Sequence, residues 1–218
     1  RLADETCQRA VQLEPDNPEA WAVYSPITLM GQTLRLNATG ATTNEATDRA
    51  QRAITLAPDS FEAQFALANC YRVRAATRAA AERMLRGLLT RAPNDGRVLR
   101  CLAACLRDLN RSNEALAILE RAIAQPAGAA QALILKAGIL GADGRWADAE
   151  AAMDQSLALQ PGPSAQLFKI GFLLLYHGDL DGAAAMLAQI PPQYLLDERG
   201  AMTASLVWLW RNEPDKAL

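Results

Sequence analysis

The sequence predicts an all-α solenoid of repeated helix-turn-helix units. Three observations carry this: prolines recur at nearly constant intervals, two amphipathic helical patterns lie between successive prolines, and no stretch alternates like a strand. Pro15 closes RAVQLEP, Pro58 closes RAITLAP, Pro93 closes GLLTRAP and Pro161 closes SLALQP, while ERAIAQP reaches Pro126 one residue early. The intervals are 43, 35, 33 and 35 residues, a period near 34 with one long unit at the start.

After each breaker a first helix follows: PEAWAVY, FEAQFALANCY, RVLRCLAACL, QALILKAGIL and AQLFKIGFLLLY. A polar turn and a second, alanine-rich helix come next, as in SNEALAILERA, GRWADAEAAMDQS and GDLDGAAAMLAQI. Leu99, Leu102, Cys105 and Leu106 form the apolar stripe of one first helix, and Ala115, Leu119, Ala122 and Ile123 that of its partner. Proline cannot extend the preceding helix, because it lacks an N–H and clashes with the turn before it. Asp16, Asn17, Asp59, Ser60, Asn94 and Asp95 stand ready to cap the next one. Gly144 and Gly178 occupy the inner turns, where a positive φ suits glycine.

The units divide the chain at 1–17 (a second helix alone), 18–60 (the long unit), 61–95, 96–129, 130–163, 164–197 and 198–218 (partial), all within one solenoid domain spanning 1–218. In the long unit, Trp21 to about Leu36 reads as an extended helix kinked or broken near Pro26. LNATGATTN reads as a loop, with Thr43 or Asn44 capping a helix from Glu45. Asn37-Ala38-Thr39 in that loop is a formal glycosylation triplet, read here as a chance occurrence. The chain opens at Arg1 without Met and stops at Leu218 inside a helical pattern, so it reads as a piece of a longer protein truncated at both ends.

Composition agrees. Of 218 residues, 50% are hydrophobic, 21% are charged and 44 are alanine, a residue that favours helices and lets them approach closely. A formal charge of -2 argues against a dedicated nucleic-acid binder. The apolar runs Ile170–Tyr176 and Ser205–Trp210 fall short of the ~18 residues a membrane span needs. Cys7, Cys70, Cys101 and Cys105 all fall on apolar helix faces, which points to a reduced, cytoplasmic protein.

GRWADAEAAMDQSLALQP carries Gly, aromatic, Ala, bulky apolar and Pro signals, and PDSFEAQFALANCY has Leu67, Ala68 and Tyr71 at large, small and large positions. These segments resemble the tetratricopeptide repeat (TPR) family over essentially the whole chain. The resemblance implies a right-handed α-α superhelix of about five repeats, whose first helices line a concave surface. Lys136 in a usually apolar slot, Gln64 in place of a bulky residue and Pro26 inside a first helix depart from the pattern. The long unit followed by RAQRAITLAPDSFEAQFALA also resembles the repeat arrays attached to bacterial adenylate cyclases, protein kinases and winged-helix regulators.

No catalytic constellation, cofactor fingerprint or metal set is read. His177, the one histidine, sits in a turn before Gly178, and Asp179 and Asp181 read as helix caps. Cys101 and Cys105 lie four apart on one face but lack a second pair, so they read as core. The resemblance implies a binding groove lined by Glu62, Phe65, Asn69 and Arg72; then Arg97, Arg100, Ala104 and Arg107; then Gln131, Ile134 and Gly138; then Phe168, Phe172, Leu175 and Tyr176; and finally Met202, Leu206 and Leu209. Its middle is basic and its C-terminal part apolar. The family's clamp for chaperone tails is not expected, because Phe65 and Cys101 stand where it needs Lys and Asn.

Nine arginines against two acids, Glu82 and Asp95, lie between Arg72 and Arg107. Arginine at helical spacing can fork onto carboxylates, which nominates Arg97, Arg100 and Arg107 as anchors for an acidic protein or peptide. Arg74, Arg78, Arg83 and Arg86 fit the plainer reading of solvated cations. An end cut inside a repeat exposes core, which predicts self-association or an ordered contact there. Two functions follow: a protein-interaction scaffold that takes a partner segment in its groove, or a regulatory or assembly module of a larger cyclase, kinase, glycosyltransferase or winged-helix regulator.

Overall fold

The computed structural model describes residues 2–33, 40–195 and 198–212, and among these every regular element is helical. The helices are α1 (Leu2–Leu13), α2 (Pro18–Thr33), α3 (Gly40–Leu56), α4 (Phe61–Val73), α5 (Arg78–Arg91), α6 (Gly96–Asp108), α7 (Ser112–Ile123), α8 (Ala129–Ala142), α9 (Trp146–Leu159), α10 (Pro163–Phe172), α11 (Leu180–Leu187) and α12 (Glu198–Trp210). A π turn, Leu173–His177, continues α10. The chain packs as two compact units, Arg1–Arg121 and Ala122–Leu218. No described helix is long and apolar enough to cross a membrane.

The breakers work as their chemistry requires. In three of them the residue two places after the proline caps the next helix. Asn17 Oδ1 accepts from the Glu19 N–H at 2.9 Å, Ser60 Oγ from Ala63 at 3.3 Å, and Asp95 Oδ1 from Arg97 and Val98 at 2.8 and 3.2 Å. Asp179 caps α11 in the same manner, accepting from Gly182 at 2.9 Å. Asp16 serves otherwise, pairing with Arg52 at 3.1 Å.

Inner turns share one conformation. Asn110, Gly144, Gly178 and Asn212 have φ of 60°, 75°, 62° and 60°, and their numbers fall at a spacing of 34. Asparagine tolerates the left-handed region because its short amide can bond locally, so it replaces glycine in two of the four turns. Between α4 and α5 a short 3-10 turn, Ala75–Thr77, takes over, with the Thr77 hydroxyl donating to the Tyr71 carbonyl at 2.6 Å.

In the long unit α2 is not broken at Pro26 and runs to Thr33 as one helix. Packing against α1, α3 and α4 outweighs the lost hydrogen bond. α3 begins at Gly40, five residues before the expected start at Glu45, so Thr43 and Asn44 lie inside it. The Thr47 hydroxyl donates back to the Thr43 carbonyl at 2.7 Å, tying that first stretch into the helix. The triplet 37–39 lies outside the described residues.

Alanine shapes the core of the first unit. Ala46, Ala50 and Ala53 of α3 meet Ala63 and Ala66 of α4 and Ala22 of α2, with Leu29, Leu67 and Cys70 filling the remainder. Such small side chains let backbones come near enough for the Ser25 hydroxyl to donate to the Ala46 carbonyl at 2.8 Å. The second unit repeats the device, with Ser156 Oγ donating to the Ala130 carbonyl at 3.0 Å. Its core gathers Leu167, Ile170, Leu173 and Leu174 against Ala183, Leu187, Ile190 and Val207.

Candidate functional site

In the first unit, α4 and α6 present the residues nominated from sequence, and most are already engaged. Arg97 Nη1 and Nη2 fork onto Glu62 Oε2 and Oε1 at 3.0 and 2.9 Å, while Nη2 also reaches Asp95 Oδ2 at 2.9 Å. Its guanidinium lies 5.4 Å from the Phe65 ring centroid. Hydrogen bonds to Asp95 and then Glu62 hold Arg97 well above its ordinary pKa. Burial acts to raise the Asp95 carboxyl, but the bonds from Arg97 and the Val98 N–H win and keep it low.

Arg72 and Arg107 converge on a single carboxylate. Arg107 Nη2 and Nε donate to Asp108 Oδ1 at 2.8 and 2.9 Å, and Arg72 Nη1 to Oδ2 at 3.3 Å. Arg72 Nε is buried without a hydrogen-bond partner. Arg78, read from sequence as solvated, instead joins two helix ends: its Nε donates to the Arg72 carbonyl at 3.2 Å and its Nη1 to that of Asp108 at 3.1 Å. Two helix C-termini carry partial negative charge there, which favours a guanidinium. Arg100 is half-buried, and burial pushes its pKa down, partly offset by Asp95. The Asn69 amide oxygen faces the Cys101 thiol at 3.6 Å.

The other arginines tie one repeat to the next. Arg111 bonds Glu82 at 2.8 Å and Glu114 at 2.6 Å, and Arg86 joins the same two acids. Arg91 reaches Gln64 and the Asp59 carbonyl at 3.2 and 3.1 Å, and Arg121 the Pro93 carbonyl at 2.7 Å. Arg74 bonds Asn44. Arg74 and Arg86, also read as solvated, are therefore inter-helix ties. Arg91 overhangs an open cleft of about 630 Å3 whose floor includes Ile54, Leu67, Met84 and Gly87.

In the second unit, Ile134 is half-buried and Phe168 is exposed. Phe172 is 6% exposed, a correction to its place in the groove. Its ring covers the Lys169 ammonium at 5.9 Å and leans on His177 at 5.5 Å. Lys169 is the residue that sequence reasoning missed. It is 5% exposed, and its Nζ pairs with Glu150 at 2.8 Å and Asp154 at 3.0 Å. His177 Nε2 stands 3.4 Å from the same Glu150. The available signal was a lysine between Leu167 and Ile170 in an apolar stripe, with two acids four apart on the preceding helix. A buried ammonium needs such partners.

This arrangement offers contact surface more readily than bond chemistry. Burial raises all four thiols above their ordinary range, Cys101 to about 11, so none is a ready thiolate. Among the described residues no three His, Cys, Asp or Glu side chains gather as a metal-binding group.

No protein-family model matches the sequence, and comparison with curated proteins finds no relative. Solved structures do match. TTC0263, a TPR protein of Thermus thermophilus, aligns with a TM-score of 0.63 at 21% identity over 87% of this chain and 98% of its own. Pseudomonas aeruginosa PilF aligns at 0.61 with 19% identity over 92% and 86%. Human IFIT1, as a dimer with PPP-AAAA, aligns at 0.72 with 15% identity over 98% of this chain and 51% of that one. Helix pairs at a spacing of 34, closed by proline and turned on left-handed residues, belong to one known architecture: the chain has the all-α fold of the tetratricopeptide-repeat solenoids.

Proposed function

We propose that the protein is an interaction scaffold whose α4–α6 face holds an acidic segment of a protein partner. The observation that carries this is the imbalance at Asp108, where one carboxylate serves both Arg72 and Arg107. Arg100 lies on the same helix face as Arg107, its charge disfavoured by burial. An incoming carboxylate would share the load that Asp108 now carries for Arg107 and lower the cost of these crowded cations. Arg97 is a strut in this reading, because Glu62 and Asp95 already neutralise it. Nucleic acid fits less well: Phe65, the aromatic on this face, is covered by Arg97 and unavailable for base stacking.

Fluorescence anisotropy with a labelled Asp/Glu-rich peptide tests the reading. Arg100→Glu with Arg107→Glu is expected to weaken binding at least about tenfold with helicity unchanged. Removing Arg97 and Glu62 together as Gln leaves the local charge unaltered, so affinity should stay within about twofold. Undiminished binding by the double-Glu variant, or tighter binding of a single-stranded RNA than of the peptide, would overturn the proposal.

A further inference from the structure

Helix α12 turns one face inward, through Gly200, Thr203 and Val207. Its opposite face carries Met202, Ser205, Leu206 and Leu209, with Ala201 at one edge and Trp210 at the other, and no charge lies between Gly200 and Trp210. α10 packs beside α12, and its exposed Phe168 and Leu175 share the repeat register of Met202 and Leu209.

We infer that this face binds a second copy of the chain, α12 pairing antiparallel with its counterpart about a two-fold axis between Ser205 and Leu206. Under that symmetry Met202 opposes Leu209, and Ser205 lies level with Leu206. The central layer sets a small side chain beside a large one, which is what interdigitating helices require. The layers on either side join two flexible apolar chains, Met202 and Leu209. A foreign helix would have to supply such a complement, whereas a second copy carries it already.

Area agrees with this occupant. Phe168, Leu175, Met202, Leu206, Leu209 and Trp210 are 37–66% exposed. Together they present about 600 Å2 per copy, or about 1,200 Å2 across a dimer, the lower limit of a stable specific interface. The face lies in the second unit and the proposed acidic-segment site in the first, so the two readings stand or fall separately.

Sedimentation equilibrium on the 23.5 kDa chain is the test. The chain is expected to run at twice that mass at micromolar concentration. Leu206→Glu with Leu209→Glu, both at exposed positions, should give single-chain mass with unchanged helicity, weakening association at least about 100-fold. Oxidative cross-linking then checks register. Ser205→Cys should link to its own copy across the axis. Met202→Cys should not, because its two copies are offset by about 10 Å along the helices, beyond disulfide reach. Single-chain mass for the unaltered protein at about 100 μM would overturn the inference. So would a dimer indifferent to the double-Glu change, or Met202→Cys linking as readily as Ser205→Cys.

Discussion

Lys169 shows how far one side chain can be read and where reading stops. Its place in an apolar stripe is plain from sequence, but the acids that neutralise it lie 15 and 19 positions earlier on another helix. Only packing joins them. The Lys169 hydrogen bond, working against burial, holds the Glu150 carboxyl below its ordinary range. A carboxyl with a depressed folded pKa stabilises the fold above its unfolded pKa, near 4.3, and loses that contribution as pH falls through the lower folded value. Glu150→Gln is therefore expected to flatten the acid limb of stability against pH below about 5, measured by urea denaturation. Lys169→Met removes the buried charge while keeping volume, and it should cost less than Lys169→Ala, which also leaves a cavity. The same limit applies to Arg97, Arg100 and Arg107. Their spacing on one face was legible, whereas Glu62, which occupies Arg97 from another helix, became visible only in three dimensions.

At the scale of the element, sequence reading succeeded wherever one residue dictates backbone geometry. Proline breakers, the Asn17, Ser60 and Asp95 caps and the glycine turns at 144 and 178 all follow from local chemistry. It failed where packing overrides propensity, as in the early start of α3. Two glycines separate these influences. An added Cβ meets nothing within 4 Å at either Gly87 or Gly144, yet Gly144 has φ of 75° and Gly87 lies inside α5. Gly87→Ala should stabilise by roughly 0.5–1 kcal/mol through helix propensity. Gly144→Ala should destabilise by about 1 kcal/mol through strain alone. Thermal melts of the two variants are expected to move in opposite directions.

For the molecule as a whole, the all-α repeat fold was legible because each unit repeats the same instructions. Function was less so, since contact surfaces carry no obligatory residue type. The two proposed surfaces differ in physical character, which gives them opposite responses to salt. Capture of an acidic peptide by the Arg100 face should weaken as sodium chloride rises from about 50 to 500 mM, because screening acts on exposed charge. Pairing through the apolar face of α12 should hold or tighten over the same range, and ammonium sulfate should strengthen it further. Anisotropy and sedimentation run side by side would resolve the two trends.

The evenly placed left-handed residues have a consequence for how such a chain can change length. Excising residues 145–178 would join Gly144 directly to Asp179, leaving a left-handed residue ahead of a second helix, as before. The seam asks for no new turn chemistry, so gain or loss of whole 34-residue blocks is the mutation this backbone absorbs with least disturbance. A deletion that is not a multiple of this period would instead put the turns out of step with the helices they join.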